Sequence, residues 1–390
     1  MKQRIFLALL AAPLLVSAQD VESFLEGMTV RHVGPGTMSG RVTAIAVERD
    51  RPEVIYAGTA SGGLWRSESA GLTWEALFDE QPTQSIGAVA IAPSNPDAIW
   101  VGTGEGNPRN SHSSGLGVYR SLDGGASWDC MGLEATRNIH RVIVHPDDPK
   151  TVWVGATGSA WAPGPNRGVY KTTDGGKTWE HVLFVDDSTG VAEMVLDPSN
   201  PNKLFVAMWS FHRKPWTFTS GGAGSGLYVT HDGGDAWTRL DEEAGLPGGT
   251  LGRMGLAMSA ADPDIVYALI EAESGTGLYR SEDGGRNWDL VQNSDVGNRP
   301  FYYAEIHADP TDPDHLFNLY SMVDESTDGG RTFETILPYS GVHPDHHAFF
   351  IHPDDPDFML DGNDGGLNIS RDGGKTWDFV ENLPLGQFYH

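Results

Sequence analysis

Ser121–Trp128 reads SLDGGASW, and the pattern returns as TTDGGKTW (Thr172–Trp179), THDGGDAW (Thr230–Trp237), SEDGGRNW (Ser281–Trp288), STDGGRTF (Ser326–Phe333) and SRDGGKTW (Ser370–Trp377). A degenerate copy, SESAGLTW, runs from Ser67 to Trp74 with Ser69 in the aspartate position. The aspartates Asp123, Asp174, Asp232, Asp283, Asp328 and Asp372 recur at intervals of 44 to 58 residues, the signature of a repeat architecture. Each copy follows a short strand-like run such as GVYRS and precedes another such as WEHVLFV. The motif therefore reads as a hairpin turn in which Asp bonds the amides ahead of it, Gly takes positive φ and Trp returns to the core.

Upstream of each hairpin lies a second strand pair, such as IGAVAIAPSNPDAIWVGTG, joined by a Pro/Asp turn (SNPD, DDPK, SNPN, ADPD, TDPD or DDPD). Each unit is strand, Pro/Asp turn, strand, loop, strand, DGG turn, strand. Four antiparallel strands repeated seven times predict an all-β, seven-bladed β-propeller, because such small sheets bury their faces only against one another. The expected boundaries are a propeller over 41–385, preceded by an N-terminal segment over 19–40. Within that segment Met28–Gly34 could supply an outer strand. Residues 386–390 read as the start of a further, truncated repeat, which points to a missing C-terminal propeller.

Residues 1–18 carry Lys2 and Arg4, an apolar run from Ile5 to Val16, and the small pair Ser17 and Ala18. This is the pattern of a cleaved secretory signal, so the expected location is periplasmic or extracellular. The apolar run is too short for a membrane span, and none follows it. The chain of 390 residues has one cysteine, Cys130, so internal disulfides cannot hold it together. With 26 Lys+Arg against 53 Asp+Glu, the net charge of −27 argues against a nucleic-acid partner.

In a four-stranded meander the turns after strands one and three share one face of the disc. The Pro/Asp and DGG turns thus lie together, and the opposite face receives the long insertions Gly104–Gly117, Gly158–Gly168 and Trp209–Gly226 and the linkers Asp241–Gly249 and Pro338–His346. Binding is expected on that long-loop face. The candidate ligand-binding residues are Glu105, Asn107, Arg109, Trp161, Arg213, Trp216, Arg253 and His347, with Asn110, His112, Trp209, Phe211 and Phe218 beside them. Aromatic faces next to Arg and carboxylates suit sugar rings or peptide side chains. Trp residues in long loops also pack those loops, so both readings stand.

The innermost strands are expected to bring Arg41, His140 or Arg141, Glu193, Arg253, Tyr303 or Glu305, and His346 or His347 to the channel rim. The six DGG aspartates are assigned to their own turns rather than to catalysis. Glu105 and Asp364, the latter in the GNDGG loop of the last unit, are the weak candidates for catalytic carboxylates. His343, Asp345, His346, His347 and His352 are rich in ligand types but lack ligand spacing. No metal or cofactor is expected. The acidic composition admits calcium without locating a site.

The six intact motifs resemble the bacterial neuraminidase repeat, or Asp box. The stretches GTGEGNPRNSHSSGLGVYRSLDGGASW, MWSFHRKPWTFTSGGAGSGLYVTHDGG and GNDGGLNISRDGGKTW resemble exported bacterial proteins grouped with the sortilin (Vps10-type) N-terminal domain, often labelled glycosyl hydrolases. That resemblance covers Met28 to His390 and implies a propeller that binds peptides or proteins. A sialidase would carry an arginine triad and an Arg-Ile-Pro signature. Here Arg41, Arg141 and Arg253 sit on three blades, and the signature does not occur. Xyloglucanase-like enzymes place one catalytic Asp in a Thr-Asp-Ile-Gly-Gly loop and the second in another propeller. The matching stretch here is Thr59, Ala60, Ser61, Gly62 and Gly63, without the carboxylate. The expected function is a recognition scaffold for a peptide, protein or polysaccharide, and the alternative is a glycoside hydrolase working with a second propeller.

Overall fold

Seven antiparallel four-stranded sheets, each drawn from one contiguous stretch of sequence, follow one another in the computed structural model, which describes residues 38–293 and 299–386. The signal segment, the Met28–Gly34 strand and residues 387–390 lie outside the described residues. We number the blades I to VII. Their innermost strands are Val42–Glu48, Ile86–Ala92, Ile139–Val144, Thr189–Leu196, Leu251–Met258, Glu305–Ala308 and His346–His352. Apart from two 3-10 turns, Glu134–Thr136 and Glu242–Ala244, the ordered elements are strands. No helix among the described residues is long and apolar enough to cross a membrane.

The core is distributed between sheets rather than gathered at the centre. Blade I packs on blade II through Tyr56, Leu64 and Phe78 against Ile99, Val101 and Tyr119, and blade II on blade III through Trp100 and Val118 against Ile139 and Val154. The series closes where Val42, Ile55 and Ala57 of blade I meet Leu360, Leu367 and Ile369 of blade VII. The seven-bladed ring expected from the repeat is therefore formed. Ser39 adds a bond across the same seam, its amide donating to the Gly365 carbonyl at 2.7 Å.

Both turn types share a face, and hydrogen bonds tie them. In blade II the Gly124 amide donates to the Asp97 carbonyl at 3.0 Å, and the pairs Gly175–Lys150, Gly233–Asn202, Gly284–Asp264, Gly329–Asp314 and Gly373–Asp357 repeat this. The degenerate blade I keeps it through Ala70 and Glu53. The next glycine presses on the neighbour: a Cβ at Gly125 would lie 2.6 Å from Leu77, and one at Gly285 2.3 Å from Phe205. Both glycines have positive φ, 69° and 94° in blade II, a region costly for other residues.

One expected loop is a ribbon. The second strand of blade IV runs on through Leu204–Lys214 and turns back as Thr217–Ser220, so Trp209 to Phe218 form a hairpin. Its strand alternation turns Trp209, Phe211 and Arg213 inward.

Candidate functional site

The Gly104–Gly117 insertion does not stand out into solvent. After Thr103 the chain turns over the axis, and Glu105, Gly106, Asn107 and Pro108 are all buried. A Cβ at Gly106 would lie 1.8 Å from His140 Nδ1, so only glycine permits this seating. Asn107 of blade II reaches three distant blades. Its Oδ1 accepts from Arg253 of blade V, its Nδ2 lies 3.4 Å from Glu305 Oε1 of blade VI and 2.9 Å from His347 Nδ1 of blade VII. Asn110, farther along, accepts from Arg213 of blade IV. The insertion is a stopper across the channel mouth.

Beside Asn107, Arg41 joins the two candidate carboxylates. Its Nε donates to Asp364 Oδ1, and its Nη1 lies 3.3 Å from Glu105 Oε2. Asp364 Oδ1 also sits 3.0 Å from His347 Nε2. Glu105 is further held by the Ser113 amide at 2.9 Å, and its carbonyl by Asn138 Nδ2 at 2.9 Å and His112 Nε2 at 2.6 Å. Burial raises the Glu105 carboxyl pKa against the pull of Arg41. Burial would raise Asp364 too, but the His347 hydrogen bond and Arg41 reverse it and hold it far below the usual range. Burial lowers His112 to about 4, and pushes His140 and His347 down as well.

Beneath the stopper the inner strands enclose a channel cavity of about 280 Å3. Its polar part is an ion-pair chain: Arg141 donates to Glu193 at 2.5 and 2.7 Å, and lies 3.5 Å from Glu305. Burial opposes the Glu305 charge, yet Arg141 and the neighbouring histidines hold its pKa well down. His140 Nε2 and His307 Nε2 lie 3.8 and 3.9 Å from Glu305 and make no hydrogen bond. Burial lowers Arg253 to about 10, and its guanidinium faces Trp209 at 5.3 Å.

The structure thus gathers Glu105, Asn107, Arg253, His347 and Asp364 with Arg41, but as an internal network. Arg213 is also buried, bonded to Tyr302 Oη at 2.6 Å and set over Phe301 and Phe218. Trp209 and Phe211 stack at 4.2 Å within the blade IV core, so of the aromatics in this ribbon only Trp216, 80% exposed, and Phe218, 47%, reach solvent. Trp161, in the loop of blade III, is 36% exposed. Arg109 is half-buried, its Nε 2.8 Å from Ser111 Oγ.

The DGG aspartates each hold their own turn. Asp123 accepts from Ser121 Oγ, the Ser127 amide and Ser127 Oγ at 2.7, 2.9 and 2.6 Å. These bonds, Ser127 foremost, lower its pKa to about 2, and Asp174 and Asp283 are lowered to about 2 by equivalent bonds from Thr178 and Asn287. Asp232, Asp328 and Asp372 make the same pattern. The histidine-rich segment is dispersed: His346 pairs with Asp361 at 2.7 Å, while His352 turns to the Arg49 carbonyl at 2.9 Å. No group of three or more His, Cys, Asp or Glu among the described residues is arranged to hold a metal ion.

Sequence reasoning missed Asn138, His307 and Tyr302. Asn138 and His307 had a usable signal, since each lies two residues from an expected channel residue, on or beside an inner strand.

A family model described as "Sortilin-Vps10: Sortilin, neurotensin receptor 3" matches residues 116–246. Over that stretch the seven-bladed propeller is similar to the sortilin-like group. Among curated relatives, a xyloglucanase of Paenibacillus sp is 27% identical over 233 residues, 57% of this chain and 20% of its own length. The photosystem II assembly lipoprotein Ycf48 of Trichormus variabilis is 28% identical over 141 residues, 31% of this chain and 41% of its own. The chain thus spans well under half the length of these relatives. Its fold matches the GH74 xyloglucanase of Xanthomonas campestris with a TM-score of 0.65 at 20% identity, over 90% of this chain and 56% of that one. It matches a structure of YCF48 bound to D1 peptide with a TM-score of 0.57 at 15% identity, over 86% and 95%.

Proposed function

We propose that this sortilin-like propeller is an exported recognition scaffold that binds a peptide on the outside of its long-loop face, through Trp161, Trp216 and Phe218. The observation that carries this is the exposure of Trp216, 80%, at the tip of a hydrogen-bonded ribbon on the face where the stopper closes the channel. A large aromatic on a rigid hairpin supplies contact area at low entropic cost. The match to a peptide-bound propeller over 95% of that chain favours peptide over glycan. No cofactor is invoked, so chelation leaves binding unchanged. The test is a panel of peptides and polysaccharides titrated against wild type, Trp216→Ala and Trp161→Ala. Peptide binding lost in the Trp variants supports the reading, and binding indifferent to both overturns it.

The second reading is a glycoside hydrolase completed by a second propeller. Its support is the xyloglucanase relatives together with two carboxylates, Glu105 and Asp364, pushed in opposite directions around Arg41. Against it, Glu105 is part of the stopper itself and 1% exposed, out of reach of a glycosidic bond. Polysaccharide cleavage lost in Glu105→Gln and Asp364→Asn would establish it.

A further inference from the structure

The long-loop face carries a groove of about 460 Å3 between the loops of blades II and III, apart from the Arg41 network. Its walls hold two arginines, Arg137 and Arg167, and no acidic residue. In a chain with twice as many acids as bases, that composition stands out. Arg167 is 2% exposed, and its Nη atoms donate only to carbonyls: Ser188 at 2.9 Å, Ser159 at 2.6 Å and Ala162 at 3.2 Å. Its Nε, buried, has no partner. Asp186 and Asp187 act on Arg167 electrostatically without an ion-pair contact, and burial lowers it to about 10. A buried guanidinium that lacks a carboxylate is a costly arrangement, offset when an anion arrives.

Arg137 is exposed and makes no ion pair among the described residues. Its backbone has positive φ, 67°, with ψ −54°, and is held there by the Asn138 amide donating to the Thr136 carbonyl at 2.7 Å and the Gly115 amide donating to the Arg137 carbonyl at 2.6 Å. Strain held at a non-glycine residue gathers at ligand sites. The neighbouring Glu134 accepts from Cys130 Sγ at 3.7 Å and is not among the residues lining the groove. Trp161, 36% exposed, lies in sequence between two lining residues, Ser159 and Ala162.

We infer that this groove takes a carboxylate side chain of an acidic peptide, Arg137 contacting the carboxylate and Arg167 supplying the positive field behind it. The inference rests on the long-loop face being a recognition surface and names the chemistry it selects. The Gly158–Gly164 wall contributes only small side chains, those of Gly158, Ser159, Ala162, Pro163 and Gly164, which leaves room for an extended peptide.

The test is fluorescence anisotropy of labelled hexaglutamate and hexaglutamine peptides, with polygalacturonate as a separate arm. Wild type is compared with Arg137→Ala, Arg167→Met and, on the turn face, Arg286→Ala. Hexaglutamate should bind in preference to hexaglutamine, weaken at raised salt, and lose about tenfold in affinity in Arg137→Ala, the loss of one charge-assisted contact. Arg137 is exposed, so this variant keeps the test valid even if Arg167→Met does not fold. Equal losses in Arg286→Ala, no hexaglutamate binding, or polygalacturonate binding without peptide binding would each overturn the inference. Neutral-peptide binding that depends on Trp216 would leave the broader function standing, which separates the two failures.

Discussion

Replacing Asn107 by alanine should unseat the stopper. The side chain is 5% exposed and answers to three blades, so truncation leaves the Phe301 carbonyl, at 3.2 Å, as the remaining hydrogen-bond partner of the Arg253 guanidinium. Losing a hydrogen bond to a charged group costs about 1.5–3 kcal/mol, and the His347 contact adds about 1 kcal/mol. The Glu305 contact, at 3.4 Å, adds little. Water entering the gap recovers part of this, so a net loss of roughly 3 kcal/mol is expected. Urea unfolding measures it, and hydrogen exchange of the 104–108 amides reports whether the stopper itself opens. Asn107→Asp restores the Arg253 contact but sets a second carboxylate beside Glu305, so it should recover part of the loss. A change below about 0.5 kcal/mol, the range of an ordinary surface substitution, with unaltered exchange at 104–108 would refute the idea that this network seats the stopper.

Stability should fall as pH drops from about 6.5 to about 4, because His112 is neutral in the fold and takes a proton once unfolded. His315, held up against burial by Asp309 and Glu325, works in the opposite sense, so the decisive measurement is the flatter slope of His112→Asn relative to wild type. A second loss is expected between about 3.9 and about 2, where Asp123, Asp174 and Asp283 take protons in the unfolded chain but resist them in their turns. Trp209→Ala should cost about 3–5 kcal/mol in denaturant unfolding, and Trp216→Ala almost nothing, since one is 1% and the other 80% exposed. Gly106→Ala should be destabilised by about 1–3 kcal/mol with exchange raised at 104–108, from the forced contact with His140.

The ring was legible because its information is local and repeated. An eight-residue turn seen seven times gives strand count, strand order and the face on which each loop emerges. The site was legible only in part. Glu105, Asn107, Arg253, His347 and Asp364 stood out as polar residues near the axis or in long loops, yet loop length says nothing about direction, and the blade II insertion folds inward. What sends it there is a set of pairings between residues 146 and 240 positions apart, Asn107 with Arg253 and with His347, which no local pattern encodes. The blade IV ribbon was misjudged as a loop because Lys214, Pro215 and Trp216 read as irregular sequence, although the alternation of Trp209, Phe211 and Arg213 already has the period of a strand. Arg137 and Arg167 escaped notice because an arginine in a Gly/Pro-rich loop looks solvated, and only the absence of an acid beside it makes it unusual.

The two glycines of each DGG turn give the ring a sense of rotation. The first is clipped to its own blade through its amide while its carbonyl accepts from the blade before it, Arg66 to Gly124 at 2.8 Å and Arg120 to Gly175 at 2.6 Å, and the second leans on that same earlier blade: Gly125 on Leu77, Gly234 on Val182, Gly374 on Ile336, and, across the seam, Gly71 on Ile369. Damage at the first position should loosen its own blade together with the one before it, whereas damage at the second is handed only backwards, to a neighbour some fifty residues earlier. Errors in this molecule travel one way round.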